Sequence, residues 1–246
     1  MPVRESEAII LRTYPLGEGD RLVSFLSRSE GRLRGVAAGA RKPRSRFGSS
    51  LEPLSHVRIV FYERETRPLA RISQAEIIES FWGAQRSYGA SMALSLIAEI
   101  SESVLPEREP SDTMFRLVLA ACRAIERTGR VALPVAYFAL WTVRLGGWLP
   151  ELDRCSVCGR DLSALPAWAL EDGSGVFCAK CRPPGTRALG IEARAAARPM
   201  LRESLEKLEA TGAGVPPREL TEFLLDLIER HTEKKLQVRP MLELEP

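Results

Sequence analysis

Hydrophobic and polar positions change rhythm about a third of the way along the chain. Up to residue 80 the apolar positions come in short runs broken by turn residues. Ala8-Ile9-Ile10-Leu11 is the first run, Arg21-Leu22-Val23-Ser24-Phe25-Leu26 the second, and Gly31-Arg32-Leu33-Arg34-Gly35-Val36-Ala37 the third. Val57-Arg58-Ile59-Val60-Phe61-Tyr62 follows, and Leu69 to Ala75 comes after a turn from Arg64 to Pro68. The third alternates charged and apolar residues in its first half, as a half-buried strand does. Five short strands with little helical periodicity predict a small closed barrel, for which the OB-fold is the commonest five-stranded arrangement.

Beyond Ser80 the apolar spacing becomes three and four. Met92, Leu94, Leu96, Ile97, Ile100 and Val104 predict a helix that Pro106 and Pro110 end. Ser111-Asp112 offers an N-cap for a second helix, which Gly129 stops after Thr128. Val131 to Leu145 is almost wholly apolar and predicts a central helix closed by Gly146-Gly147. Two further helices are expected over 191–210 and 218–231. Pro216-Pro217 opens the last, whose stripe is Leu220, Phe223, Leu224, Leu227 and Ile228. The fold class expected is α+β and multidomain: an OB-fold barrel over 1–80, a helical bundle over 81–150 and 190–246, and an inserted module over 151–189.

That module carries four of the five cysteines, as Cys155-Ser-Val-Cys158 and Cys178-Ala-Lys-Cys181. Two CxxC pairs at this spacing predict a tetrahedral Zn2+ site, one structural ion held by four thiolates. Four thiolates leave no open position for water or substrate, so zinc catalysis is excluded. Within the module Trp168-Ala-Leu170 and Val176-Phe177 predict a hairpin that delivers the second pair. Met1-Pro-Val-Arg-Glu-Ser-Glu turns charged at once, without the apolar run of an export signal. A reducing cytoplasm is therefore expected, where thiols stay free for metal rather than pairing as disulfides. The apolar stretch Val131 to Val143 is too short to span a bilayer as a helix, which takes about 20 residues. Cys122 sits in a helical apolar pattern and is expected to be a buried small hydrophobe.

Charge is unevenly spread. Residues 1–82 hold 14 Lys+Arg against 10 Asp+Glu, and the rest hold 21 against 22. The excess concentrates in residues 28–46, where Arg28, Arg32, Arg34, Arg41, Lys42, Arg44 and Arg46 face a single acid, Glu30. The Gly39 to Gly48 part is punctuated by Gly, Pro and Ser, so a mobile loop is expected. A basic loop on a small barrel suits a phosphate backbone, because counterion release supplies affinity without reading sequence. Phe47, between Arg46 and Gly48, is the candidate for stacking on bases, whereas Phe25 is expected in the core. The ribbon's cations are matched by its acids, so a structural role is expected for it.

No catalytic constellation emerges. His56 and His231 are expected to be surface or hydrogen-bonded residues. Gly17-Glu-Gly19 is too short for a dinucleotide fingerprint, and no GxxxxGK[ST] phosphate loop occurs. The acidic pairs Glu18/Asp20 and Glu63/Glu65 are not expected to hold metal. A metal-dependent nuclease is therefore disfavoured, and the competing reading is a protein-interaction adaptor that uses the helices and the ribbon.

These residues together resemble the RecO family of recombination-mediator DNA-repair proteins. The resemblance is carried by Glu7-Ala-Ile-Ile-Leu-Arg12, Gly17-Glu-Gly-Asp-Arg-Leu-Val23, Glu30-Gly-Arg-Leu33, Gly39-Ala-Arg-Lys-Pro-Arg-Ser45, Leu51-Glu-Pro-Leu54 and Leu145-Gly-Gly-Trp-Leu-Pro150 leading into the first CxxC, and more loosely by Leu225 to Leu236. It implies an OB-fold, a helical bundle and a zinc ribbon. It also implies a non-enzymatic, cytoplasmic and nucleoid-associated protein that binds single- and double-stranded DNA and anneals complementary strands. With RecR, such a protein helps load RecA onto strands coated by single-strand-binding protein. Some members of the family lack the zinc cysteines; this chain has all four.

Overall fold

The computed structural model describes residues 3–64 and 67–241. Packing divides the chain into two compact units, 1–126 and 127–246.

The first unit is built on a five-stranded closed barrel of strands β1 (Val3–Leu16), β2 (Asp20–Ser27), β3 (Gly31–Ala37), β4 (His56–Arg64) and β5 (Arg67–Glu79). The order around it is β1-β2-β3-β5-β4, and all pairings are antiparallel except β3 with β5. This is the arrangement of an OB-fold. Closure rests on three residue pairs, Gly35↔Ala70, Val36↔Arg71 and Ala37↔Ile72. Gly35 suits this close pairing, because a Cβ on it would stand 3.0 Å from the Ile72 side chain and 3.2 Å from the Ala70 carbonyl oxygen, tighter than ordinary contact.

Strand β1 extends well beyond the apolar run that marks it, and a register shift between Ile10 and Arg12 bends it. Ala8, Ile9, Ile10 and Leu11 are all fully buried. Ala8 and Ile10 belong to the barrel core with Phe25 and Phe61, whose rings meet edge to face at 5.6 Å. Helix α1 (Tyr88–Val104) packs on β1, which explains a strand without alternation. Helix α2 (Asp112–Thr128) starts at the expected cap: Ser111 Oγ accepts from the Met114 N–H at 3.3 Å. It ends before Gly129 at φ +68°.

The second unit holds α3 (Ala132–Leu145), the cysteine ribbon, α4 (Ile191–Met200), α5 (Leu205–Ala210) and α6 (Arg218–Thr232). Helices α3 and α6 pack together, as their apolar faces predict. The expected helix over 191–210 is instead two. Pro199, inside α4, lacks an N–H, and the backbone turns after Met200. Ser204 then caps α5 by accepting from the Lys207 N–H at 3.3 Å. The ribbon sheet runs β7-β6-β8, with β6 (Ala167–Leu170) paired to β7 (Val176–Phe177) as expected. Strand β8 (Thr186–Leu189) follows the Pro183-Pro184-Gly185 turn, with Gly185 at φ +76°, and pairs with the other edge of β6. Among the described residues no helix is long and apolar enough to cross a membrane.

Candidate metal centre and nucleic-acid interface

The four cysteine sulfurs gather at one point. All lie within 4.8 Å of one another, and among the described residues they are the only such cluster of potential metal ligands. Two knuckle turns bring this about. The Gly159 N–H donates to the Cys155 carbonyl at 2.9 Å, with Gly159 at φ +68°, and the Cys181 N–H donates to the Cys178 carbonyl at 3.1 Å. The hairpin is tied to the first knuckle, since the Ser156 N–H donates to the Val176 carbonyl at 2.8 Å and the Val176 N–H to Ser156 Oγ at 3.0 Å.

The donor set fits zinc. Cys158 Sγ and Cys178 Sγ stand 3.9 Å apart, near the edge of about 3.8 Å that a tetrahedron with metal–sulfur bonds of about 2.3 Å requires. A disulfide would need about 2.05 Å, and all five cysteines are free. Burial pushes the Cys155 thiol up, but backbone N–H groups of Cys158, Cys178 and Val157 outweigh it and hold the thiol at about 6. Cys178 is lowered in the same way, burial being outweighed by N–H groups of Cys181 and Lys180. Cys181 is pushed up to about 12 by its contacts with the sulfurs of Cys178 and Cys158. Cys122 is apart from this chemistry, buried in α2 with its thiol pushed up by burial.

Arg194 of α4, which the sequence reading passed over, anchors the ribbon. Its side chain is fully buried, yet its guanidinium donates to four carbonyls: Leu189 at 3.1 Å, Leu152 at 3.4 Å, Leu162 at 2.6 Å and Leu165 at 2.5 Å. Asp153 Oδ1 supplies charge at 3.7 Å, and Arg198 holds the same carboxylate at 2.7 and 2.8 Å. His231 is also structural, stacked on Trp148 with centroids 4.8 Å apart, its Nε2 2.9 Å from the Asp172 carbonyl oxygen.

The basic run of residues 28–46 divides in two. Its first three cations are engaged with the body of the first unit. Arg28 pairs with Asp112 at 2.7 Å and Glu7 at 3.1 Å. Arg32, largely buried, donates through Nε to the Leu105 carbonyl at 2.8 Å and pairs with Glu107 at 3.3 Å. Arg34 is exposed but faces the same Glu107 at 3.6 Å. Gly31, at φ +75°, is what lets the backbone of Glu109 lie so near β3, for a Cβ there would collide with it. The charge of Arg32 and Arg34 is therefore partly neutralised in place, which weakens the expectation that they contact phosphate.

Arg41, Lys42, Arg44 and Arg46 are different. All four are exposed, and among the described residues none forms an ion pair. The segment that carries them is tethered rather than free. The Arg41 N–H donates to the Gly19 carbonyl at 2.9 Å, Arg41 Nη1 to the Gly17 carbonyl at 2.9 Å, and the Gly39 N–H to Asp20 Oδ1 at 2.8 Å. At its far end the Leu54 N–H reaches the Ile10 carbonyl at 2.6 Å. The expected mobile loop is thus a segment fastened to the β1–β2 turn and to β1.

Phe47 is a correction. It is only 3% exposed and lies in the barrel core with Leu51, so it has no face for a base. Its ring plugs the barrel and carries the guanidinium of Arg46 at 4.8 Å from its centroid. Phe25 is buried as expected. Tyr14, at 42% exposed, and the half-buried Tyr62 are the remaining rings near this region.

The carboxylates beside the buried histidine are already held by arginines, Glu7 by Arg28 at 3.1 Å and Glu79 by Arg123 at 2.8 Å. His56 is buried between Glu7 at 3.4 Å and Glu79 at 3.9 Å. Asp20 is used by Gly39, and Glu63 by Arg4 and Arg108. Glu65 lies outside the described residues.

Comparison with known proteins gives one family. Residues 1–81 match the family described as Recombination protein O N terminal, and residues 85–240 match Recombination protein O C terminal. The chain is 42% identical over 247 residues to the DNA repair protein RecO of Koribacter versatilis, covering 98% of each chain. It is 34% identical over 197 residues to that of Bifidobacterium adolescentis, covering 78% of this chain and 79% of the relative. It is 33% identical over 247 residues to that of Frankia casuarinae, covering 99% of both.

Proposed function

This chain belongs to the RecO family and so to DNA repair and recombination, and from that premise we propose that it is a non-enzymatic mediator that binds single- and double-stranded DNA and anneals complementary strands. With RecR it helps load RecA onto DNA coated by single-strand-binding protein. The observation that carries this reading is the set of four exposed cations, Arg41, Lys42, Arg44 and Arg46, without ionic partners among the described residues, on a tethered segment of the barrel.

Phosphate oxygens supply what these side chains lack. Each arginine can grip one with two N–H groups, and Lys42 adds a point charge. Because the backbone is tethered before DNA arrives, less ordering entropy is lost on binding than a free loop would lose. Complementary strands repel through their phosphates, and cations held between them lower that repulsion. Annealing then needs no bond to be made or broken by the protein. The four cysteines hold one structural Zn2+, which supplies folding energy to the ribbon and has no open coordination position for chemistry.

The test is annealing of two labelled complementary oligonucleotides, with and without single-strand-binding protein, beside a gel-shift on single and double strands. Acceleration over the spontaneous rate, with retention of both DNA forms, is expected. Retention of neither form would reject the reading in favour of an adaptor that binds only proteins.

A further inference from the structure

The ribbon's near-neutral charge hides a separation. Four of its five acids are engaged locally: Glu151 pairs with Arg154 at 3.4 Å, Asp153 with Arg198, Asp161 accepts from the Ser163 N–H at 2.8 Å, and Asp172 from the Ser174 N–H at 2.9 Å, while Glu171 is exposed in the turn between β6 and β7. The cations of the two knuckles have no such partners. Arg160 lies two residues past Cys158, Lys180 immediately before Cys181 and Arg182 immediately after it. All three are exposed, and among the described residues none forms an ion pair. Because the cysteine sulfurs lie within 4.8 Å of one another, the two turns that carry these three cations lie side by side. Residues 156–160 and 179–182 hold no acid, and Asp161, which follows Arg160, is turned to the Ser163 N–H. Beside these turns, Trp168 projects from the half-buried face of β6, opposite buried Ala167 and Ala169, and Arg182 lies over its ring at 5.0 Å.

We infer that this patch is a second nucleic-acid contact: Arg160, Lys180 and Arg182 take phosphates, and Trp168 offers a ring on which a base stacks when Arg182 swings to the backbone. The inference rests on the DNA-binding reading above and deepens it. A protein that anneals must hold two strands, and the barrel segment and the ribbon patch provide a cationic surface on each compact unit. The competing use of these cations is local. Four thiolates around a zinc dication leave two negative charges, which nearby cations could serve to offset.

The experiment compares full-length protein with the variant Arg160→Gln, Lys180→Gln, Arg182→Gln, and with Arg41→Ala, Lys42→Ala, Arg44→Ala, Arg46→Ala. Affinity for a labelled single-stranded oligothymidylate is measured against salt, and zinc per chain is measured on the same samples. The ribbon variant is expected to keep its zinc and to lose about 2 from the slope of log affinity against log salt, at roughly 0.7 per phosphate contact. An unchanged slope in the ribbon variant beside a reduced one in the barrel variant would overturn the inference and leave the reading intact. Loss of zinc from the ribbon variant would overturn it too, assigning the cations to the metal. Absence of salt-dependent binding by the unaltered protein would remove the reading itself.

Discussion

The guanidinium of Arg46 sits 4.8 Å from the centroid of Phe47, and that ring is buried in the barrel. The ring fills the core while the guanidinium covers it from the solvent side, so their substitutions should separate. Phe47→Ala should destabilise the first unit by about 3–5 kcal/mol, the usual cost of emptying a buried aromatic site. Arg46→Ala should change stability by less than about 1 kcal/mol, the scale of an exposed cation–π contact. Denaturant unfolding of the two variants checks this, and equal, small effects would place Phe47 at the surface.

That separation shows what was legible beforehand. Strand and helix periodicities and both CxxC pairs are local signals, so the five strands, the caps at Ser111 and Gly129 and the metal quartet could be read directly. Phe47 could not, because its burial depends on the 38–55 segment folding back over the barrel. The loss of Arg32 as a free cation depends on Leu105, 73 residues away. Arg194 is matched to four carbonyls between residues 152 and 189, none marked by a side chain. The break in the helix expected over 191–210 has a local mark in Pro199, which has no N–H to donate.

Arg194→Leu should cost about 3–5 kcal/mol, the range for removing one side of a buried charged network, because it strands carbonyls and Asp153 together. Arg194→Lys should recover only part, since an ammonium cannot fork across four acceptors. Thermal unfolding with zinc content on the same samples tests this. Unchanged stability in Arg194→Leu would remove the anchoring role.

One zinc per chain is expected from protein purified under reducing conditions without chelator. Chelation should unfold the ribbon, since structural zinc in small modules contributes on the order of 10 kcal/mol. Near-ultraviolet circular dichroism, sensitive to Trp168 inside the ribbon, reports the loss. Substantially less than one zinc, or a chelated spectrum that does not change, would reject the metal centre.

The segment after α6 is held by carboxylates. Arg239 bridges Glu222, Asp226 at 2.6 Å and Glu229 at 3.2 Å, while Glu229 also accepts from the Leu236 N–H at 2.9 Å. Burial raises Glu222 and Glu229, but Arg239 on Glu222 and the Leu236 N–H with Lys235 on Glu229 bring both below the ordinary carboxylate value. A lowered folded-state pKa gives stability that is present above the ordinary value, about 4.3, and is lost as pH falls below it. Amide exchange over 233–241 should therefore be slow at neutral pH and speed up, relative to intrinsic rates, on acidification below about 4. Arg239→Ala should speed it at neutral pH already. Protection that is insensitive to both changes would contradict this arrangement.

Four cations of the barrel, Arg41, Lys42, Arg44 and Arg46, which form no ion pair among the described residues, are proposed to bind DNA through its phosphates. The most direct measurement is the salt dependence of single-strand affinity for the unaltered protein and for Arg41→Ala, Lys42→Ala, Arg44→Ala, Arg46→Ala. Weaker binding is predicted, with a slope shallower by about 3, at roughly 0.7 per contact. Affinity and slope identical to those of the unaltered protein, in a variant that unfolds at the same denaturant concentration, would contradict it.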